Sequence, residues 1–276
     1  MTNPTTGAFQ VSDALWEALA PLLPQRVNTH PLGGGRPRVP DRTCANGIFY
    51  VLRTSCQWKA LDSTGICSGS TAHLRFQEWV AAGVFSQLWE VGLERYDELK
   101  GLDWSWLSMD GAMTKAPLGG GKTGPNPTDR GKSGVKRSVL TEAHGVPVGL
   151  VVDGAHRHDM KLARATVDSV PVQRPAPSPE QPQGMCLDKG YDYDEVRETL
   201  QEFGFTAHIR GRGEEAQAIK REAGFKARRW VVERTHSWMN RFRRILVRWD
   251  KSPDNYIAFL HFACALIALR AAGLLG

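Results

Sequence analysis

Apolar residues recur at helical spacing through the first hundred positions and alternate with polar ones over much of the remaining chain. Ser12-Asp13 offers a cap for a helix from Ala14 to Leu22, which Pro21 and Pro24 close. Ile48, Val51 and Leu52 predict a helix over Ala45–Arg53. A third helix is expected from Thr71 to Ala82, capped by Ser70 or Thr71. It would turn Leu74, Trp79 and Val80 inward and Ser70, Thr71, His73, Arg75 and Gln77 outward. Beyond Gly83 a fourth runs from Phe85 towards Leu99. Residues 1–100 thus read as an all-helical unit with short connections, Trp58, Leu61 and Cys67 packing one of its turns.

From Trp104 the period falls to two. WSWLSMDGA reads as a strand with Asp110 near its end, and Lys136–Glu142 and Val146–Val152 read as a hairpin across His144-Gly145. A helix over Met160–Val170 precedes a proline-rich loop. Then come a short buried strand, Met185–Leu187, ending at Asp188, a helix over Tyr193–Phe203 and a strand over Thr206–Ile209. A long helix around Glu233 and a C-terminal helix complete residues 101–276. Three strands, helix, strand, helix, strand, helix is the order of an α/β, ribonuclease H-like mixed sheet flanked by helices. Order alone carries no function.

The stretch Lys226–Lys251 holds nine Lys/Arg and two acids, a charge of +7 (9 − 2) against +6 for the whole chain. At helical spacing Val231, Thr235, Trp238, Phe242, Ile245 and Trp249 form an inward stripe. Glu233, about 200° round from Val231, falls off that stripe among Arg229, His236, Asn240 and Arg244. Such a glutamate either balances its arginine neighbours or ligates a metal beside them. A sequence pI near 9.2 permits a polyanionic partner. The five cysteines are odd in number and lack CxxC spacing, which fits reduced thiols in a cytoplasmic protein better than a zinc site. The N-terminus lacks the pattern of a signal peptide. Ile257–Leu269 is too short to span a bilayer, so no membrane partner is expected.

Asp110 and Asp188 both end hydrophobic strands. On neighbouring strands their carboxylates would lie about 5 Å apart and repel unless a proton or cation sat between them. Magnesium, with its oxygen ligands, is the usual resolution, and Glu233 could supply a third ligand. Asp110-Gly111 and Asp153-Gly154 are also turn dipeptides, and Asp103, Asp153, Asp159, Asp192 and Asp194 compete for the same role. GGGKT at 119–123 suggests a phosphate loop, but Ala116 stands where that motif needs glycine. What remains is a flexible loop bearing Lys122, Arg130, Lys132 and Lys136, suited to a nucleic-acid backbone or to solvent. His156 and His158 are as well explained by a helix cap as by a metal.

Taken together, the GGRPR loop, LRTSCQWKAL, SMDGAMTKA, TGPNPTDRGKSGVKRSVL, GVPVGLVVDGAHRHD, LDKGYD and RRWVVERTHSWMNRFRR resemble the DDE transposases of bacterial insertion sequences, of the insertion-sequence-five kind. The strings keep the family's order along nearly the whole chain. The resemblance implies a helix-turn-helix-like DNA-binding domain over 1–100 and a ribonuclease H-like catalytic domain over 101–276. It places the family's three acids, as catalytic residues and metal ligands, on Asp110, Asp188 and Glu233. It also implies two Mg²⁺ ions, Mn²⁺ substituting, and cleavage and joining of DNA at the transposon's terminal inverted repeats and a target, by a homo-oligomer. DNA contacts are expected from Arg36, Arg38, Thr71, His73, Arg75, Arg130, Lys132, Lys136, Arg229, Arg234, Arg241 and Arg244. The family's Tyr-Arg-Glu-Lys signature keeps Arg229 but has Lys226 and Asn240 for its Tyr and Lys, with Phe225 and Arg241 beside them. Only 45 positions (233 − 188) separate the second and third acids, which leaves no room for a large insertion. A nuclease that does not join, and a DNA-binding protein without catalysis, are the rival readings.

Overall fold

Caps set the first helices of the computed structural model, which describes residues 9–25, 37–209 and 230–276. The Ser12 hydroxyl accepts from the Leu15 amide at 3.3 Å and starts α1, Asp13–Leu19, which tightens into a 3₁₀ turn at Ala20–Leu22. Helix α2, Asp41–Thr54, stops where Ser55 turns left-handed. Helix α3 spans Gly69–Ala81, and its cap is Ser68 rather than Ser70 or Thr71. Gly83, at φ 70°, allows the turn into α4, Val84–Lys100.

The buried face of α3 runs through Ala72, Arg75, Phe76 and Trp79, not through Leu74, which is 61% exposed. Helical spacing places Arg75 on the outer face. The structure instead draws it in through ion pairs to Asp41 and, at 3.4 Å, to Glu78. An arginine sunk to 3% exposure has no hand free for DNA.

The sheet is built from β1 Trp106–Lys115, β2 Gly124–Pro125, β3 Ser133–Thr141, β4 Pro147–Gly154, β5 Gln183–Leu187 and β6 Phe205–Ile209. Strand β3 pairs antiparallel with β1, β2 and β4, while β5 pairs parallel with β1 and β6. The path β2-β3-β1-β5-β6, with β4 on β3, is the ribonuclease H-like mixed sheet. A 3₁₀ turn, Asp159–Leu162, and α5, Ala163–Asp168, lead from β4 to β5 in place of one longer helix. Helix α6, Asp194–Glu202, joins β5 to β6.

The basic stretch is not one helix. Helix α7, Trp230–Met239, ends before Asn240, and a turn leads to the short α8, Arg243–Leu246. Val247 then bridges to Lys115, and the Arg248 amide donates to the Lys115 carbonyl at 2.8 Å. The free edge of β1 thus captures the chain and breaks the expected stripe, so Ile245 is buried but Trp249 is exposed.

Helix α9, Pro253–Ala271, returns to the N-terminal helices. Its Phe259 stacks on Phe76 of α3 with centroids 4.4 Å apart, and Phe262 meets Phe85 of α4 at 5.3 Å. Gly92 lets α4 and α9 close, since a Cβ there would stand 3.3 Å from the Ala265 carbonyl. The Trp89 indole donates to the Pro147 carbonyl at 3.0 Å and ties α4 to β4. One hydrophobic core therefore runs from Val11 through the sheet to Ala272. Among the described residues no helix is long and apolar enough to cross a membrane.

Truncating Phe259 should cost about 3–5 kcal/mol. Because the core is shared, thermal denaturation of Phe259→Ala should show one transition shifted downward. A second transition left at the original temperature would mean that the helices and the sheet melt independently.

Candidate active site

Asp110 lies midway along β1, paired with Val139 of β3, two residues beyond the last β1–β5 pair, Ser108 and Cys186. The dipeptide Asp110-Gly111 is therefore strand, not turn. The parallel register sets Ser108 opposite Cys186, and two residues further along each chain stand Asp110 and Asp188. Asp188 is the first residue past β5. Its carboxylate accepts from the Gly190 amide at 2.9 Å and caps the turn Lys189–Tyr191. Helix α7 packs across β1 and β3 with Glu233 in its first turn. One turn on, His236 Nε2 is 4.0 Å from Asp110 Oδ2.

Burial pushes the Asp110 carboxyl up to about 6, and the charges of Asp188, Asp159 and Glu233 push the same way against the pull of the Gly111 amide. His236 is buried, and burial, with the Arg137 charge beside it, holds its pKa down at about 3, so the ring is neutral. Of the rival acids Asp159 is the one whose charge reaches Asp110, from the other face of β1, where its oxygen lies against Gly111. Asp153 is taken by Arg157 at 3.2 Å and by its own Gly154 amide, Asp192 by Arg197, and Asp103 by the Ser105 amide.

Residues 96–268 match the family model described as a transposase DDE domain. The chain belongs to the DDE transposases. Residues 11–89 match a second model, described as a putative transposase of the IS4/5 family. A putative transposase for insertion sequence element IS402 of Burkholderia cepacia is 36% identical over 148 residues, which cover 53% of this chain and 68% of that protein. An uncharacterized 16.2 kDa protein of the same element is 33% identical over 118 residues, 42% of this chain and 80% of its own length. The catalytic domain of Mos1 mariner transposase overlaps 68% of this chain and 92% of its own, at 11% identity and a TM-score of 0.30. The Mos1 mariner paired end complex with Mn overlaps 88% and 82%, at 12% identity and a TM-score of 0.29. Both overlaps are loose, and membership stands on the family match.

Membership in the DDE transposases implies a divalent metal ion. The donors suit one, being carboxylate oxygens drawn from two strands and a helix. Asp159 Oδ1, buried without a hydrogen-bond partner, lies against Gly111 on the other face of β1 from the Asp110 carboxyl. Among the described residues, no three acidic, histidine or cysteine side chains yet stand close enough together to hold an ion.

The cations of the transposase divide sharply. Arg130 and Lys132 are exposed on the β2–β3 loop, and Arg241 is exposed beside Arg53 and Arg270. Arg38 is paired with Glu78. Thr71 bonds Ser68, and His73 stacks on Trp58 at 4.9 Å. Arg234 lies between the rings of Trp230 and Trp238, at 4.6 and 4.7 Å, and donates to the His144 carbonyl of the hairpin turn. Arg244, expected on DNA, is buried against Asp250 at 2.8 Å, because the chain has left the helix and turned this face inward. Lys136 is likewise buried, its ammonium 2.9 Å from Asp159. Arg36 and Arg229 lie outside the described residues, as does Lys226. The Lys position of the family signature, Asn240, accepts from Arg137 Nη2 at 3.1 Å. Nor does the 119–124 loop swing free, since Arg248 donates to the carbonyls of Gly121 at 2.8 Å and Lys122 at 3.3 Å.

A cavity of about 1100 Å³ opens at the other end of the parallel strands, by Trp106, Gln183 and His208, and touches none of the four acids.

A crowded buried carboxylate destabilises the fold that holds it. The folded pKa of Asp110 is raised, so the penalty is absent below pH 4, grows between the unfolded and folded values, and is complete above pH 6. Asp110→Asn should therefore stabilise the metal-free transposase at pH 8 by about 1–3 kcal/mol. The gain should vanish near pH 4, as read by urea denaturation at both pH values.

Proposed function

We propose that this transposase binds the ends of its own insertion sequence and, with divalent ions, cleaves them and joins the freed ends to target DNA. Asp110, Asp188 and Glu233 are the catalytic acids and the ion ligands in this reading, Mg²⁺ being the natural ion, two being held and Mn²⁺ substituting. The observation that supports it is the β1–β5 register, which pairs Ser108 with Cys186 and is followed two residues on by Asp110 and Asp188, with α7 packed across β1.

The cations supply Lewis-acid charge that offsets the negative charge growing on the phosphate oxygens. The chain does the rest. Asp110 and Asp188, fixed by strand and turn backbone, hold one position between them. Glu233, on a helix end exposed to solvent, faces the attacking oxygen, first of water and then of the 3′-hydroxyl that the first cut frees. In each step the new phosphorus–oxygen bond forms as the old one opposite it breaks, and the departing oxygen takes up a proton. Exposed Arg130, Lys132 and Arg241 lie where a DNA backbone can reach them, and Arg38 can exchange Glu78 for a phosphate. Joining two ends to one target calls for more than one copy of the chain.

Asp110→Asn, Asp188→Asn and Glu233→Gln should each lower Mg²⁺-dependent cleavage of a transposon-end duplex by about a thousandfold or more and leave its gel shift intact. A cleaving Asp188→Asn protein sinks the assignment. A labelled 3′ end that is cut but never joined to a target plasmid would identify a nuclease instead.

Phosphate contacts are also read through salt. The double change Arg130→Ala/Lys132→Ala should lower the slope of log affinity against log salt by about 2. An unchanged slope would remove this loop from the DNA interface.

A further inference from the structure

Two of the five cysteines meet where α2 faces the turn that leads into α3. Cys44 lies near the start of α2 and is fully buried. Gly47 follows three residues later on the same side of the helix. A Cβ at Gly47 would stand 2.9 Å from Cys67 Sγ, so the missing side chain makes the seat in which that sulfur rests against α2. There the Cys44 thiol donates a hydrogen bond to Cys67. Cys67 itself is half-buried, one residue before Ser68, the cap of α3. Its turn is held in place, since the Ile66 amide donates to the Thr64 hydroxyl at 3.3 Å and the Gly69 amide to Asp62 Oδ1 at 2.8 Å.

Two thiols in contact have a reaction open to them that an isolated one lacks. The hydrogen bond from Cys44, set against burial and the charge of Asp62, holds the Cys67 thiol below its usual range, whereas the same bond and burial push Cys44 up. The more accessible sulfur thus forms the thiolate and the buried one keeps its proton, which suits an attacking and a resolving cysteine. We propose that Cys44 and Cys67 are a peroxide-responsive dithiol that closes to a disulfide and fastens the start of α3 to α2. The Cys67 thiolate attacks one oxygen of hydrogen peroxide, the O–O bond breaks and hydroxide leaves, giving a sulfenic acid. The Cys44 sulfur then attacks that sulfur, the S–O bond breaks, and the hydroxyl departs as water with the Cys44 proton. In sum the two thiols give up two electrons and two protons, and one peroxide becomes two waters. A thiol reductant reverses the bond, so under reducing conditions the closed form is transient. The ring encloses 22 residues (67 − 44 − 1) and takes conformational freedom from the unfolded chain. Because helices and sheet share one core, that constraint raises the melting temperature of the whole molecule.

The reduced, full-length chain would be treated with hydrogen peroxide at neutral pH, digested without reductant and mapped by mass spectrometry. Free thiols, counted after denaturation, should fall from five to three (5 − 2), with one cross-link joining the Cys44 and Cys67 peptides. The midpoint of thermal unfolding should rise by about 5 °C and return when dithiothreitol is added. Dimedone, which traps sulfenic acids, should label Cys67 in Cys44→Ala, where nothing resolves the intermediate, and should leave Cys44 unlabelled in Cys67→Ser. Cys56→Ser should form the cross-link as the parent does. Five thiols surviving the peroxide, a sulfinic acid at Cys67 without a cross-link, or a cross-link of either cysteine to Cys56, Cys186 or Cys264 instead overturns the proposal. If Cys44→Ala does not fold, the peptide map of the parent decides.

Discussion

Like charges held at short range govern the layout of this transposase. The register of β1 and β5 pairs Ser108 with Cys186 and leaves Asp110 and Asp188 two residues beyond, near enough for the charge of Asp188 to raise the Asp110 carboxyl. Helix α7 packs Glu233's turn over one face of β1, and Gly111 admits Asp159 on the other. Left alone, such carboxylates would turn to solvent. The backbone ladder prevents it, because slipping a strand by one residue would turn its whole apolar set outward. The energy of a large core thus holds a locally unfavourable site in readiness, which is where functional proteins commonly store strain.

The basic stretch shows how little a charge count says about where charge goes. Arg234 is flattened between two indoles and props the β3–β4 hairpin, Arg244 is paired inside, and Arg241 stays at the surface. Arg248 is fully buried, and the four hydrogen bonds it makes among the described residues go to the carbonyls of Gly121, Lys122, Asp250 and Lys251. A guanidinium is weakly hydrated and can spread its charge over several dipoles, so it fastens a loop where an ammonium would not. Of the six described cations in this region, Arg234, Arg244 and Arg248 therefore build the protein, and Arg241, Arg243 and Lys251 face outward.

Alternation and helical spacing disclose the longer strands and Asp188 just past one of them, because both periodicities follow from backbone geometry alone, but not that β1 runs on past Asp110 to Lys115. Non-local pairing stays hidden. Nothing local to α3 reveals that Asp41 will draw Arg75 inward, or that Lys136 will meet Asp159. The expected long helix fails for a similar reason, since its apolar spacing persists past Asn240 while the edge of β1 competes for the backbone at Val247. Asp159 is visible in the sequence as one of several rival acids, and Gly111 is visible but points to a turn. Only the opposite strand and the β4 crossover explain it.

The partnership of α9 with the N-terminal helices bears on how the protein is made. Phe76, Phe85 and Phe49 find their aromatic partners in Phe259 and Phe262, which leave the ribosome well over a hundred residues later. Until then the first helices have an open apolar face, and the nascent chain must stay soluble without it. The helix that closes the N-terminal unit is thus made long after the residues it covers. A chain cut short before α9 loses the packing of its N-terminal helices as well, so a truncated product would not be left with a folded N-terminal unit.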